Sequence, residues 1–166
     1  MSKLKTVLKT KFKSDLVVFL QANPDCFGEL LQLAFSDDKD YAGRATWGIS
    51  LIMEKNDTRL RDYVAEMVRI LPQREDGHKR LLLMILRNME IPEAYESKLF
   101  DFCVNIWETT ALASALRSCA FQNILRIAGK YPELQNELQY LTEERYLETL
   151  SKGVKYSIKL RIKNNL

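Results

Sequence analysis

Residues 115–134 read ALRSCAFQNILRIAGKYPEL. Arg117 stands near the start of an apolar stripe, Gly129 follows its end, and Tyr131-Pro132 comes next. That order fits one helix closed by a C-terminal Gly and a second opened by Pro. The same layout occurs twice upstream. RATWGISLIMEKND at 44–57 places Arg44 before its stripe and Asn56-Asp57 after it. HKRLLLMILRNMEIP at 78–92 does the same with Arg80 and Ile91-Pro92. Arg44, Arg80 and Arg117 are 36 and 37 residues apart, and the openings at Pro24, Asp57, Pro92 and Pro132 are 33, 35 and 40 apart. One helix pair cannot bury both of its faces alone, so a pair recurring at this period points to a stacked array. The alternative is a non-repetitive helical bundle in which similar capping recurs.

The rest of the chain keeps a helical period. Leu4, Leu8, Phe12 and Leu16 stand four apart, and Leu60, Val64, Met67, Val68 and Leu71 repeat the spacing of one buried helix face. No segment alternates as a half-buried strand does, and 6 Gly and 4 Pro in 166 residues argue against a turn-rich all-β fold. Ser14, Asn23, Ser36 and Thr109 or Thr110 are the expected N-caps. The expected fold is all-α: a curved, right-handed α-α superhelix (HEAT/ARM-like) of about nine helices in roughly four stacked pairs. It forms one repeat domain over 1–166, with 1–13 and 146–166 as basic end-capping helices.

The stretches at 44–57, 78–92 and 115–134 resemble the small bacterial HEAT/armadillo-like α-solenoid proteins. The likeness covers roughly residues 14–145. It implies a fold, and its weak motifs bring no activity with them.

Composition narrows the chemistry. Cys26, Cys103 and Cys119 are an odd set with no CxxC pair, which reads as buried thiols in a reducing compartment. His78 is the single histidine, so neither a zinc site of the usual kind nor a His-centred triad is expected. Asp37, Asp38 and Asp40 lack calcium-loop spacing and read as charge at a helix N-terminus. Trp47 aligns with Leu83 and Ala120, and Trp107 extends the stripe of Leu99, Phe102, Cys103 and Ile106, so both are expected in the core. Gly48, in mid-helix, is expected to let a neighbouring helix come close. No catalytic residue, cofactor or metal is expected. There is no membrane-spanning run and no secretory signal, so the expected location is the cytoplasm.

Charge is distributed unevenly. Residues 1–13 and 152–166 hold ten basic residues and no acid, leaving 15 basic against all 22 acidic residues in the body. The second helices of the pairs sum to −8, with −3 each over 92–108 and 132–145, whereas the first helices sum to +3. In HEAT stacking the second helices line the concave face, which is therefore expected to be acidic. Its polar stripe is Arg59, Asp62, Glu66 and Arg69, then Lys98, Asp101 and Asn105, then Gln135 and Gln139. Such a face favours a basic or polar peptide and repels a phosphate backbone.

The leading expectation is a non-enzymatic scaffold for a protein or peptide partner. The alternative is a nucleic-acid-binding protein related to the HEAT-like DNA alkylation-repair glycosylases, whose grooves are basic. For that reading the candidates are the basic ends: Lys5, Lys9 and Lys13, with Lys155, Lys159 and Lys163. The chain is expected to be a monomer, or a dimer through its terminal helices.

Overall fold

The computed structural model describes residues 2–165, which contain eleven α-helices and no strand. The chain divides into two compact units, Met1–Glu90 and Ile91–Leu166.

The first unit is built around α4 (Ala42–Ile52), which packs against α1 (Lys3–Thr10), α2 (Lys13–Ala22), α3 (Phe27–Phe35) and α6 (Asp76–Leu86). Helix α5 (Val64–Ile70) packs on α6. Gly48 of α4 allows this crowding: a Cβ there would stand 3.2 Å from Leu20 Cδ1 and 3.6 Å from Leu30 Cδ1. Leu16, Leu20, Leu30 and Ile49 are buried around it. Each such side chain contributes about 1.5–3 kcal/mol by leaving water.

The second unit centres on α8 (Ser114–Ala128), which is buried around most of its circumference. It packs against α7 (Glu93–Glu108), α9 (Gln135–Leu141) and α11 (Lys152–Asn165), with the single turn of α10 (Glu144–Leu147) before the last.

The period seen in the sequence reappears as physical links. In the first unit Arg44 donates to the Leu8 carbonyl 36 residues away, Arg74 to the Phe35 carbonyl 39 away, and Lys39 pairs with Glu75 36 away. In the second, Trp107 Nε1 donates to the Leu141 carbonyl 34 residues away, and the Ser151 N–H to Ser114 Oγ 37 away. Each link joins one repeat to the next, as stacking requires.

Two Arg positions of the repeat share a job. Arg44 takes the carbonyls of Leu8 and Lys11 at the end of α1. Arg117, fully buried, takes those of Trp107 in α7 and Tyr146 in α10. Both satisfy carbonyls that a helix end leaves without partners. Arg80 does not follow: its Nη1 lies 3.7 Å from the Met84 sulfur.

Several boundaries differ from expectation. Eleven helices replace about nine: the break expected before Ser14 falls at Lys11–Phe12, and the last segment splits into α10 and α11. Phe12, expected beneath α1, is 83% exposed, since α1 ends at Thr10 and the i+4 spacing runs across the break. Ser14 lies inside α2 and caps nothing. Asn23 turns its amide back to the Phe19 carbonyl, so Pro24–Cys26 opens as a 3-10 turn without a side-chain cap. Ser36 and Thr109 bond to carbonyls at the ends of α3 and α7 rather than opening the next helices. Asp57 does cap, accepting the Arg59 N–H at 3.0 Å.

Candidate functional site

The second unit holds a cleft of about 400 Å³ between the first half of α7 and the turn that leads into α9. Phe100, Ile127 and Leu134 give it an apolar floor, and Glu93, Asp101, Glu133 and Glu137 stand around it. Glu96 is buried at its edge, accepting from Lys130 Nζ and the Tyr131 hydroxyl. Burial pushes the Glu96 carboxyl up, but these two hydrogen bonds and the charges of Lys130 and Arg126 outweigh it and hold the group below its ordinary value. The bond to Glu96 pushes the Tyr131 phenol up to about 12. Among the described residues, no three His, Cys, Asp or Glu side chains are grouped to hold a metal ion.

Of the expected stripe, the cleft takes Asp101 alone. Lys98, Asn105, Gln135 and Gln139 are exposed on α7 and α9. In the first unit Arg59 is drawn onto Asp57 (Nη2 to Oδ2, 2.6 Å) and over the Phe27 ring at 4.2 Å. That pairing holds the Asp57 carboxyl down at about 2. Glu66 and Arg69 form a two-toothed pair, with Nε 2.8 Å from Oε2, and Asp62 is exposed. The acidic residues that sequence spacing missed, Glu93, Glu96, Glu133 and Glu137, carry the signal that was present: the −3 of each helical segment. Their meeting depends on the contact of Glu96 with Lys130 and Tyr131, about one repeat away.

The first unit holds a larger cavity, about 740 Å³, between the turn before α4 and the turn before α6. Lys39, Arg44, Arg74 and Arg80 line it with Trp47 and His78. Trp47 is therefore not a core residue. It is half-buried, with the Arg44 guanidinium stacked 4.5 Å from its ring centre. Its small neighbours in the cavity, Gly43 and Gly77, do not cover it; a Cβ on either would meet nothing within 4 Å. Trp107, by contrast, is wholly buried, as its stripe indicated.

His78 Nε2 lies 2.8 Å from Thr46 Oγ1, whose own hydroxyl donates to the Ala42 carbonyl. Nε2 therefore carries the proton and donates, which leaves Nδ1 as the acceptor. Burial, helped by the Arg74 charge and only partly opposed by Glu75, lowers the ring's pKa from 6.5 to about 4. Below pH 6.5 the unfolded chain takes up a proton that the folded chain refuses until about pH 4, so stability falls as pH falls through this window. Allowing for the ring's partial exposure, the expected loss is about 1–2 kcal/mol. Urea unfolding at about pH 7 and about pH 4.5 should show it. His78→Gln should lack that share of the pH dependence; an equal loss in the variant would contradict this assignment.

Helices paired in sequence and tied to one another at intervals of 34 to 39 residues are the geometry of a stacked repeat. A family model described as HEAT repeat domain matches residues 1–165. The chain belongs to the HEAT repeat family. HEAT repeats are helical scaffolds that generally mediate protein interactions. No curated protein and no solved structure matches the chain. Among the described residues, no helix of this HEAT repeat chain is long and apolar enough to cross a membrane.

Four of the six candidate lysines at the basic ends are engaged. Lys5 and Lys9 lie over the Tyr41 ring at 5.0 and 4.8 Å, and Lys9 also approaches Asp40 at 3.5 Å. Lys155 and Lys159 both reach Glu144. Lys13 and Lys163 are exposed. The Asp37–Asp40 acids are spread among partners as well, with Asp37 on Arg74 and Asp38 accepting the Asp40 N–H. Cys103 and Cys119 are buried, Cys26 is partly exposed, and none of the three is in a disulfide among the described residues.

Proposed function

We infer that this HEAT repeat chain is a non-enzymatic, cytoplasmic scaffold for a protein partner, and that the cleft of the second unit receives a basic segment of that partner. The cleft itself supports the reading: Glu93, Asp101, Glu133 and Glu137 surround an apolar floor, while Lys130 is already tied to Glu96. A Lys or Arg side chain lays its methylene stem on Phe100 and Leu134 and turns its charge to the rim. Exposed ion pairs contribute about 0.2–1 kcal/mol each, so several pairs plus the floor give a weak affinity that falls further with salt. A nucleic-acid backbone is repelled here. Three cysteines with no disulfide among the described residues fit a reducing compartment.

A fluorescent peptide rich in Lys and Arg with one Leu tests this, beside the same peptide with acidic residues in place of the basic ones. The full chain should bind the basic peptide alone. Asp101→Lys combined with Glu133→Lys should weaken binding by about tenfold or more, the equivalent of losing ~1.4 kcal/mol. Both positions are exposed, so a thermal melt should show the variant folded. Unchanged affinity in the variant removes the cleft from the function. Equal binding of the acidic peptide does the same.

A further inference from the structure

The cavity of the first unit has the opposite character from the cleft, and its role does not depend on the reading above. We propose that it binds a small phosphate monoester. Its volume of about 740 Å³ is that of a small-molecule site rather than a packing defect. Four side chains that are cationic at neutral pH line it: Lys39, Arg44, Arg74 and Arg80. The two lining carboxylates do not cancel them. Asp37, paired with Arg74, is 99% exposed, and Glu75, paired with Lys39, is 77% exposed, so water screens both pairs.

Two of the arginines are poised for an anion. Arg44 spends Nε and Nη2 on the Leu8 and Lys11 carbonyls and stacks on Trp47, which fixes the plane of the guanidinium. Its Nη1 has no hydrogen bond among the described residues. An arginine already held in place loses little side-chain entropy when it binds phosphate. Arg80 has no carboxylate partner among the described residues, its Nη1 meeting only the Met84 sulfur. The cavity also borders the first turns of α4 and α6, and neither helix has a side-chain cap. Their N–H groups add positive potential to the same space. Trp47, Ala42 and Leu81 supply an apolar wall for the organic part of the ester.

The probe is phenyl phosphate, titrated into the full chain at low salt and read by tryptophan fluorescence. There are two tryptophans, and Trp107 is wholly buried in the second unit, so a change reports Trp47. A saturable signal with a Kd below about 1 mM is expected, with phenol and benzoate binding at least about tenfold more weakly. Arg80→Gln should weaken phenyl phosphate by about tenfold. Gly77→Leu fills open space in a helix first turn, so it should abolish binding while the melting temperature stays level or rises. No saturable signal up to about 10 mM overturns the proposal. So does benzoate binding as tightly as phenyl phosphate. Tighter binding of a single-stranded oligonucleotide, with a salt slope equal to three or more phosphates at roughly 0.7 each, overturns it in favour of a nucleic-acid track.

Discussion

Arg117→Met is expected to destabilise the second unit by about 2–5 kcal/mol, a large share of a small domain's stability. The guanidinium is wholly buried, and each of its three nitrogens donates: Nε to the Trp107 carbonyl at 2.9 Å, Nη2 to the Tyr146 carbonyl at 2.8 Å, and Nη1 to Thr149 Oγ1 at 2.8 Å. Its charge forms no ion pair with a carboxylate among the described residues. It is offset by the carbonyl ends of α7 and α10 and by the Trp107 ring, whose centre is 4.8 Å away. Burial alone holds the group below its ordinary pKa. Methionine keeps much of the stem but leaves the Trp107 carbonyl without its donor, at about 1–3 kcal/mol, and the Tyr146 carbonyl with the Thr149 hydroxyl at 3.2 Å in place of a charged donor. Arg117→Lys should recover little, because an ammonium has no planar fork to span acceptors from separate elements. Urea unfolding followed by circular dichroism measures the loss. A midpoint unchanged in either variant would mean that water, not Arg117, satisfies those helix ends.

Arg117 also shows what the sequence could and could not say. Its place in the period was legible beside Arg44, because stacked repeats force their linking residues to recur about one repeat apart. Its task was not, because the carbonyls it serves belong to helix ends 10 and 29 residues away, outside any local pattern. Trp47 fell the other way. Repeat position made it equivalent to Leu83 and Ala120, both fully buried, yet it lines an open cavity with Gly43 and Gly77, where even an added Cβ would meet nothing within 4 Å. Phe12 misled for a related reason: periodicity does not register a two-residue break between helices. The acidity around the cleft was readable as charge on 92–108 and 132–145. Where those charges converge was not, because the Glu96 contacts that bring the two segments together are 34 and 35 residues long. Spacing along one helix selects a face; only contact between repeats selects which end of that face becomes a cavity.

Trp107→Ala should cost about 3–5 kcal/mol through lost burial and the cavity it leaves. The indole is fully buried, 4.3 Å from the Phe121 ring centre and 6.4 Å from that of Tyr146, and its N–H closes the link from α7 to the Leu141 carbonyl at the end of α9. Trp107→Phe should cost less, since it keeps most of the area and loses the N–H bond. The more searching measurement combines Trp107→Ala with Arg117→Met. Arg117 stacks on this ring and donates to this residue's carbonyl, so with the ring removed it has lost one of its supports. The double variant should therefore fall short of the sum of the two single losses by about 0.5–3 kcal/mol, as for residues in one network. Circular dichroism must follow this series as well, because Trp107→Ala and Trp107→Phe remove the tryptophan of the second unit and leave Trp47 of the first. Strict additivity would show the two side chains acting independently, and α8 would then be held by its apolar packing rather than by a shared polar and aromatic node.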